Sequence, residues 1–248
     1  MKIENSMKIK YIIRPIYSLM LLVVLTLTAT GIRAQLIQKN NLGIAEKKIP
    51  TEIPFDPKVV RGQLPNGLSY YIRKNSEPKN RVTIYLVNKV GSILENEQEL
   101  GLSHFLEHMA FNGTKHFPKN ELVNYLQKSG VKFGSDLNAY TIFDETVYQL
   151  PLPTDNAELL HNGFQIMRDW AQEATLDSVE IEKERGVILE EKRLSKSSQE
   201  RLREQYFPML VNNSLYARRI PIGTDEVLKG FKRSAIVNYY KKWYRPNL

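Results

Sequence analysis

Four histidines are present in this chain of 248 residues, and two of them, His104 and His108, stand four apart with Glu107 between them. At 100° per residue the two imidazoles lie about 40° apart around a helix, and Glu107 lies about 60° from His104 on the other side. All three side chains then share one face. Two imidazoles at that spacing can grip a single zinc ion, and a carboxylate beside them can take a proton from the water it holds. Four His and 20 Glu would produce H-x-x-E-H by chance on the order of 0.005 times in such a chain. The plainer reading, two surface histidines on an amphipathic helix, has to accept that coincidence.

H-x-x-E-H reverses the H-E-x-x-H order of zinc peptidases, and a catalytic zinc takes three protein ligands with one position left open. The chain has no cysteine, which excludes thiolate zinc sites, iron–sulfur clusters, disulfide scaffolds and cysteine nucleophiles together. The third ligand must therefore be a remote His or carboxylate. His116 follows the motif in a loop, and His161 falls on another helix. The acidic stretch 180–193 (EIEKERGVILEEKR) is the better source. Its Glu184 and Glu191 are seven residues apart and share a helix face two turns apart. Such a run is ordinarily a solvated face laced with i,i+4 ion pairs. Apolar Val187, Ile188 and Leu189 inside it point instead to a helix packed on both sides. Helical geometry alone leaves Glu184, Glu190 and Glu191 open.

These residues need a frame. Residues 59–64 and 68–73 flank Pro65-Asn66-Gly67, a hairpin signal. Residues 82–90 (VTIYLVNKV) predict a third strand, broken by Gly91 and the acidic stretch 95–99. The motif helix starts near Leu100 and stops at Asn112-Gly113; a second helix follows a cap at Asn120 and stops at Ser129-Gly130. Residues 137–141 and 146–150 read as two more strands. Residues 155–174 carry Leu159, Leu160, Ile166, Met167 and Trp170 at helical spacing. Asp177 caps a long helix from Ser178, and a last helix covers 225–244. Hairpins with irregularly alternating helices predict an α+β fold, with helices layered on a mainly antiparallel sheet. A hydrophobic share of 42% is enough to build its core.

Residues 1–34 are not part of that frame. Lys2, Lys8, Lys10 and Arg14 precede an apolar run (YSLMLLVVLTLTA), and a small residue, Ala34, closes the segment. This is the pattern of a secretory signal peptide, and the run falls short of the about 20 residues of a membrane span. The expected product is exported, periplasmic or secreted, with no stable membrane span after cleavage; an uncleaved N-terminal anchor is the rival. Residues 35–57, with Pro50, Pro54 and Pro57, read as an extended lead-in. Lys2, Lys8, Lys10, Arg14 and Arg33 against Glu4 place half of the formal charge of +8 in residues 1–34. What remains makes no case for nucleic acid as a partner. Lys241-Lys242-Trp243-Tyr244-Arg245 mixes basic and aromatic residues as nucleic-acid binders do, but reads as a solvated helix end over buried aromatics.

GLSHFLEHMAFNGTKHFP, SDLNAYTIFDETVY, EKERGVILEEKR, RIPIGTDEVLKGF and KKWYRP, in that order, resemble the M16 (pitrilysin/insulinase) family of zinc metallopeptidases, which includes the mitochondrial processing peptidase. The resemblance runs from about Val59 to the C-terminus and is far more specific than a five-residue motif. It implies a processing-peptidase-like metallohydrolase fold over residues 58–248. It implies a zinc ion held by His104, His108 and Glu191, with Glu107 as general base and Glu184 as a supporting acid. One departure stands out: 82 residues separate His108 from Glu191, several more than is usual in the family. Loops near 131–135 and 151–156 are the expected places for the surplus; elsewhere, it would make Glu184 a ligand candidate.

Asn138, Ala139, Tyr140 and Thr141 resemble the edge strand to which family members add substrate as an extra strand, so that main-chain hydrogen bonds supply the affinity. An ordinary strand of the sheet is the alternative. The implied activity is zinc-dependent hydrolysis of peptides or unfolded proteins. The implied partners are a peptide and a second M16-like domain, in cis or as a separate chain. On that resemblance residues 58–248 form a catalytic domain incomplete at its C-terminal end, expected to bind zinc poorly and cleave weakly by itself. Two other functions compete: a non-catalytic partner subunit, against which the intact motif argues, and a metal hydrolase acting on something other than peptides.

Overall fold

The turn at Asn66-Gly67 forms as its residues demand, with Gly67 at φ 94°. It joins β1 (Val59–Gln63) to β2 (Ser69–Arg73), which pair antiparallel with Val59 opposite Arg73. The computed structural model describes residues 54–119, 121–128 and 138–248. The expected signal segment, most of the lead-in, the cap at Asn120, the stop at Ser129-Gly130 and the loop near 131–135 lie outside the described residues. The chain divides after Asp56, and the elements below belong to Pro57–Leu248.

Among the described residues the strands make two sheets rather than one. The β1–β2 hairpin stands by itself, and β3 (Arg81–Asn88), β4 (Asn138–Thr141) and β5 (Thr146–Pro153) form a second, antiparallel sheet in the order β3-β5-β4. Arg81 faces Pro153 and Asn88 faces Thr146 across β3–β5, while Asn138 faces Gln149 and Thr141 faces Thr146 across β4–β5. In β3, Val82, Ile84 and Leu86 pack on the core and the alternating Thr83, Tyr85 and Val87 are exposed, the period of a half-buried strand. In central β5, Tyr148, Leu150 and Leu152 are fully buried. That strand runs three residues past its expected end, through the two prolines placed above in a loop. Pro151 and Pro153 face Thr83 and Arg81 of β3, and among the described residues β4 pairs no further along β5 than Gln149.

Seven helices cover the frame among the described residues: α1 (Leu102–Met109), α2 (Glu121–Lys128), α3 (Ala157–Gln172), α4 (Ser178–Ser195), α5 (Ser198–Leu210), α6 (Asp225–Gly230) and α7 (Arg233–Trp243). Asn156, Asp177, Ser197 and Thr224 cap α3, α4, α5 and α6 through their side chains. The helix expected over 225–244 is broken at Phe231, whose ring is held edge-on to Phe105 at 4.7 Å and beneath the Arg185 guanidinium at 4.3 Å. Holding that ring in place leaves Phe231 and Lys232 extended between α6 and α7.

Trp170 of α3 ties the layers together. It is fully buried, donates from Nε1 to the Ala110 carbonyl at 2.9 Å, and stacks on Tyr148 with ring centroids 5.1 Å apart. Leu102, Phe105, Leu106 and Met109 of α1 are buried in the same core. At the other end of the chain the aromatic residues serve the core too. Tyr239, Tyr240 and Tyr244 are buried, with the Tyr244 hydroxyl 3.0 Å from that of Tyr148, while Lys241 and Lys242 are exposed. Among the described residues no helix is long and apolar enough to cross a membrane.

Candidate metal centre

The helix that carries H-x-x-E-H begins at Gly101, which has no side chain to cap it and sits at φ 99° with the Gly223 Cα only 3.0 Å from where a Cβ would lie. The cap comes from Glu95. Its carboxylate accepts from the backbone N–H groups of Gly101 at 2.8 Å and Ser103 at 2.7 Å, which puts negative charge at the positive end of the helix dipole. The acidic stretch expected only to break a strand thus anchors the motif helix. With its apolar side in the core, α1 turns His104 and His108 toward α4.

Burial pushes the Glu95 carboxyl up from 4.5 to about 7, against the two backbone N–H bonds that pull it down. The folded chain therefore holds a proton that the unfolded chain has released between those values. The stability contributed is present in full below pH 4.5 and is lost as pH rises through about 7. Urea unfolding of the metal-free protein should show a decline on the order of 3 kcal/mol across that window, and Glu95→Gln should flatten it. An equal decline in the variant would assign the effect to another group.

The second half of the site comes from α4. Ile181, Glu184, Ile188 and Glu191 recur at spacings of three and four, so two buried isoleucines seat two carboxylates opposite α1. The packing is one-sided, contrary to the expectation from the apolar run, because Val187 is 52% exposed. Arg185 anchors the helix by donating to the carbonyls of Leu228 and Phe231. Lys192 does the same one turn after Ile188, donating to the Gly223 carbonyl at 2.8 Å.

His104 Nε2 lies 3.7 Å from Glu191 Oε1, and His108 Nε2 lies 3.5 Å from Glu191 Oε2. The two imidazoles stand edge-on, with centroids 4.6 Å apart. Among the described residues this is the one group of three side chains whose ligand atoms come within 4.8 Å of one another. The donor set fits zinc: two nitrogens and a carboxylate, with the nitrogens 3.7 and 3.5 Å from the carboxylate oxygens, near the about 3.3 Å between ligands placed 2.0–2.1 Å from a tetrahedral ion. Glu190 points elsewhere, its carboxylate paired with Arg193 at 2.7 Å. Neither remaining histidine joins the group. His116 Nδ1 lies 2.9 Å from Asp169, and His161 is exposed on α3.

His104, His108, Glu184 and Glu107 are each shifted from their ordinary values. Burial and the neighbouring His108 hold His104 down at about 4, which leaves a neutral imidazole at neutral pH. Burial also lowers His108, but the Glu184 carboxylate 2.7 Å from its Nδ1 outweighs this, and the ring ends above the usual histidine range. For Glu184 burial acts upward, and hydrogen bonds from His108 and Asn112 bring the carboxyl below its ordinary value. Burial raises Glu107, only partly offset by a 2.6 Å hydrogen bond from the Thr141 hydroxyl. A raised carboxyl is a stronger base, closer to the pKa that proton transfer at neutral pH favours.

β4 lies at the sheet edge beside α1, pairing with β5 on one side. Asn138 and Tyr140 are exposed, Ala139 and Thr141 are half-buried, and Thr141 reaches Glu107. Residue types alone give no sign of this last contact, since it depends on a strand register set by the hairpin to β5.

Two helices offer two imidazoles and a carboxylate, with a second carboxylate beside them and an edge strand alongside, an arrangement that could hold a metal ion. The profile of the insulinase family, peptidase family M16, matches residues 70–219, and the chain belongs to that family. It is 40% identical over 195 residues to the probable zinc protease PqqL of Haemophilus influenzae, a match covering 79% of this chain and 21% of that protein. The first half of the periplasmic protease PqqL from Escherichia coli superposes with a TM-score of 0.76 at 39% identity, over 79% of this chain and 42% of that one. The ferredoxin protease FusC, solved as a point mutant in complex with Arabidopsis ferredoxin, gives a TM-score of 0.70 at 32% identity, over 76% of this chain and 21% of that one. The chain spans about a fifth of the length of the PqqL proteins it matches.

Proposed function

We propose that residues 58–248 are the metal-binding catalytic domain of an exported zinc endopeptidase that hydrolyses peptides or unfolded proteins. The observation that carries this is the convergence of His104 Nε2, His108 Nε2 and the Glu191 carboxylate beside the buried Glu107. His104, His108 and Glu191 would hold zinc, which supplies a Lewis acid for the scissile carbonyl and for the attacking water. Glu107, held by Thr141, takes a proton from that water and gives it to the amine as the C–N bond breaks. Glu184 supports His108 through Nδ1 and is not a ligand. The peptide adds to the edge of β4 along Asn138, Ala139, Tyr140 and Thr141, where backbone pairing asks little of its sequence. A second M16-like domain, in cis or as a separate chain, closes over it. Residues 1–34 direct export, in keeping with the periplasmic location named for the Escherichia coli relative.

Zinc content and hydrolysis of an internally quenched peptide, measured together on the chain paired with such a domain, test the proposal. One zinc per chain is expected, and its removal by a chelator should stop hydrolysis reversibly. Zinc without hydrolysis would favour the non-catalytic partner subunit. Hydrolysis that survives full removal of metal would refute the reading.

A further inference from the structure

We propose that Asn112 is a positioning residue of the metal centre. Its amide holds the Glu184 carboxylate against His108 Nδ1, and so keeps His108 Nε2 turned toward Glu191. The inference rests on the zinc reading above and extends it to a residue outside the motif and outside the acidic helix. The two oxygens of Glu184 have separate partners: Oε1 lies 2.7 Å from His108 Nδ1, and Oε2 accepts from Asn112 Nδ2 at 2.5 Å. A carboxylate only accepts, so the amide nitrogen is the Asn112 atom that faces it. One anchored oxygen would leave the carboxylate free to rotate about its last bond; two anchors define its plane.

The rest of the site makes this brace matter. The buried Nδ1 of His104 has no hydrogen-bond partner among the described residues, so His108 is the one imidazole of the pair whose second nitrogen is held. A ligand His fixed through its far nitrogen keeps both its orientation and the free lone pair of the other nitrogen. The backbone that carries Asn112 is itself well fixed. Ala110 accepts from Trp170, the Phe111 ring packs edge-on to Trp170 at 5.2 Å, and the Gly113 carbonyl accepts from the Thr175 N–H at 3.1 Å and its hydroxyl at 2.9 Å. Asn112 thus carries the rigidity of the Trp170 core to a carboxylate on a different helix.

Zinc affinity of the two-domain preparation, read by competition with a chromogenic chelator, tests the proposal. Asn112→Leu keeps the shape and removes the donor; it should weaken zinc binding about tenfold, at the low end for an outer partner of a metal ligand. The unfolding temperature of the metal-free protein should stay unchanged. Asn112→Gln, which keeps the amide, should bind zinc more tightly than the Leu variant. Wild-type affinity in Asn112→Leu would overturn the role of Asn112 and leave the zinc reading standing. Equal weakening in the Leu and Gln variants would also overturn it, by showing that the fit of the side chain and not its amide matters. Zinc bound no more tightly by the wild type than by His104→Ala would overturn both.

Discussion

Glu107→Gln should leave zinc bound and lower the turnover of a quenched peptide by about 10²–10⁴-fold, the range that general acid–base catalysis supplies. The substitution is close to silent for the fold. Gln has the same shape, its side-chain oxygen can still accept from the Thr141 hydroxyl, and the Nε2 atoms of His104 and His108 face Glu191. What it removes is a group that takes up a proton, at a buried position where water is a poor substitute. The loss should fall on kcat with KM nearly unchanged, because the backbone edge of β4 is untouched. Turnover retained at the wild-type level, with zinc present, would end the assignment of Glu107 as base.

The second large effect is on the metal. Glu191→Gln should weaken zinc binding by more than 100-fold, beyond the 10–100-fold typical of an outer partner, because it removes the one anionic donor facing both imidazoles. Glu190→Gln, one residue away, should change nothing, since that carboxylate is exposed and paired with Arg193. Metal lost from the Glu190 variant and kept by the Glu191 variant would shift the ligand by one residue. Equilibrium dialysis against buffered zinc separates these outcomes.

The motif end of the site was legible because it is local. His104, Glu107 and His108 lie within one turn and a half, and a helix carries such a pattern whatever surrounds it. Glu191 was legible only through the resemblance, because the choice among three acids on one helix depends on what packs on each side. Ile181 and Ile188 turn Glu184 and Glu191 toward the histidines of α1, while Arg193 pairs with Glu190. α5 was missed altogether. None of its residues is buried, Leu202, Met209 and Leu210 are exposed, and Pro208 sits inside it, so the hydrophobic periodicity that marks a helix is absent. Its one local sign was Ser197 followed three residues later by Glu200, the cap that forms. The extension of β5 through Pro151 and Pro153 was hidden for another reason. A proline lacks the N–H that a ladder uses and so reads as a break in the sequence.

The donors of the centre are unevenly spread along the chain. Two lie four residues apart on α1, and the third follows after 82 residues. An unfolded chain can offer an ion only the adjacent pair; recruiting Glu191 would mean closing that long segment, at roughly 4 kcal/mol of chain entropy. An ion held by all three donors therefore selects the folded chain and acts as a removable crosslink between α1 and α4. At a free concentration a thousandfold above its Kd such an ion would add about 4 kcal/mol to the stability of the domain. Metal supply would then govern how long the folded protein survives as well as how fast it works.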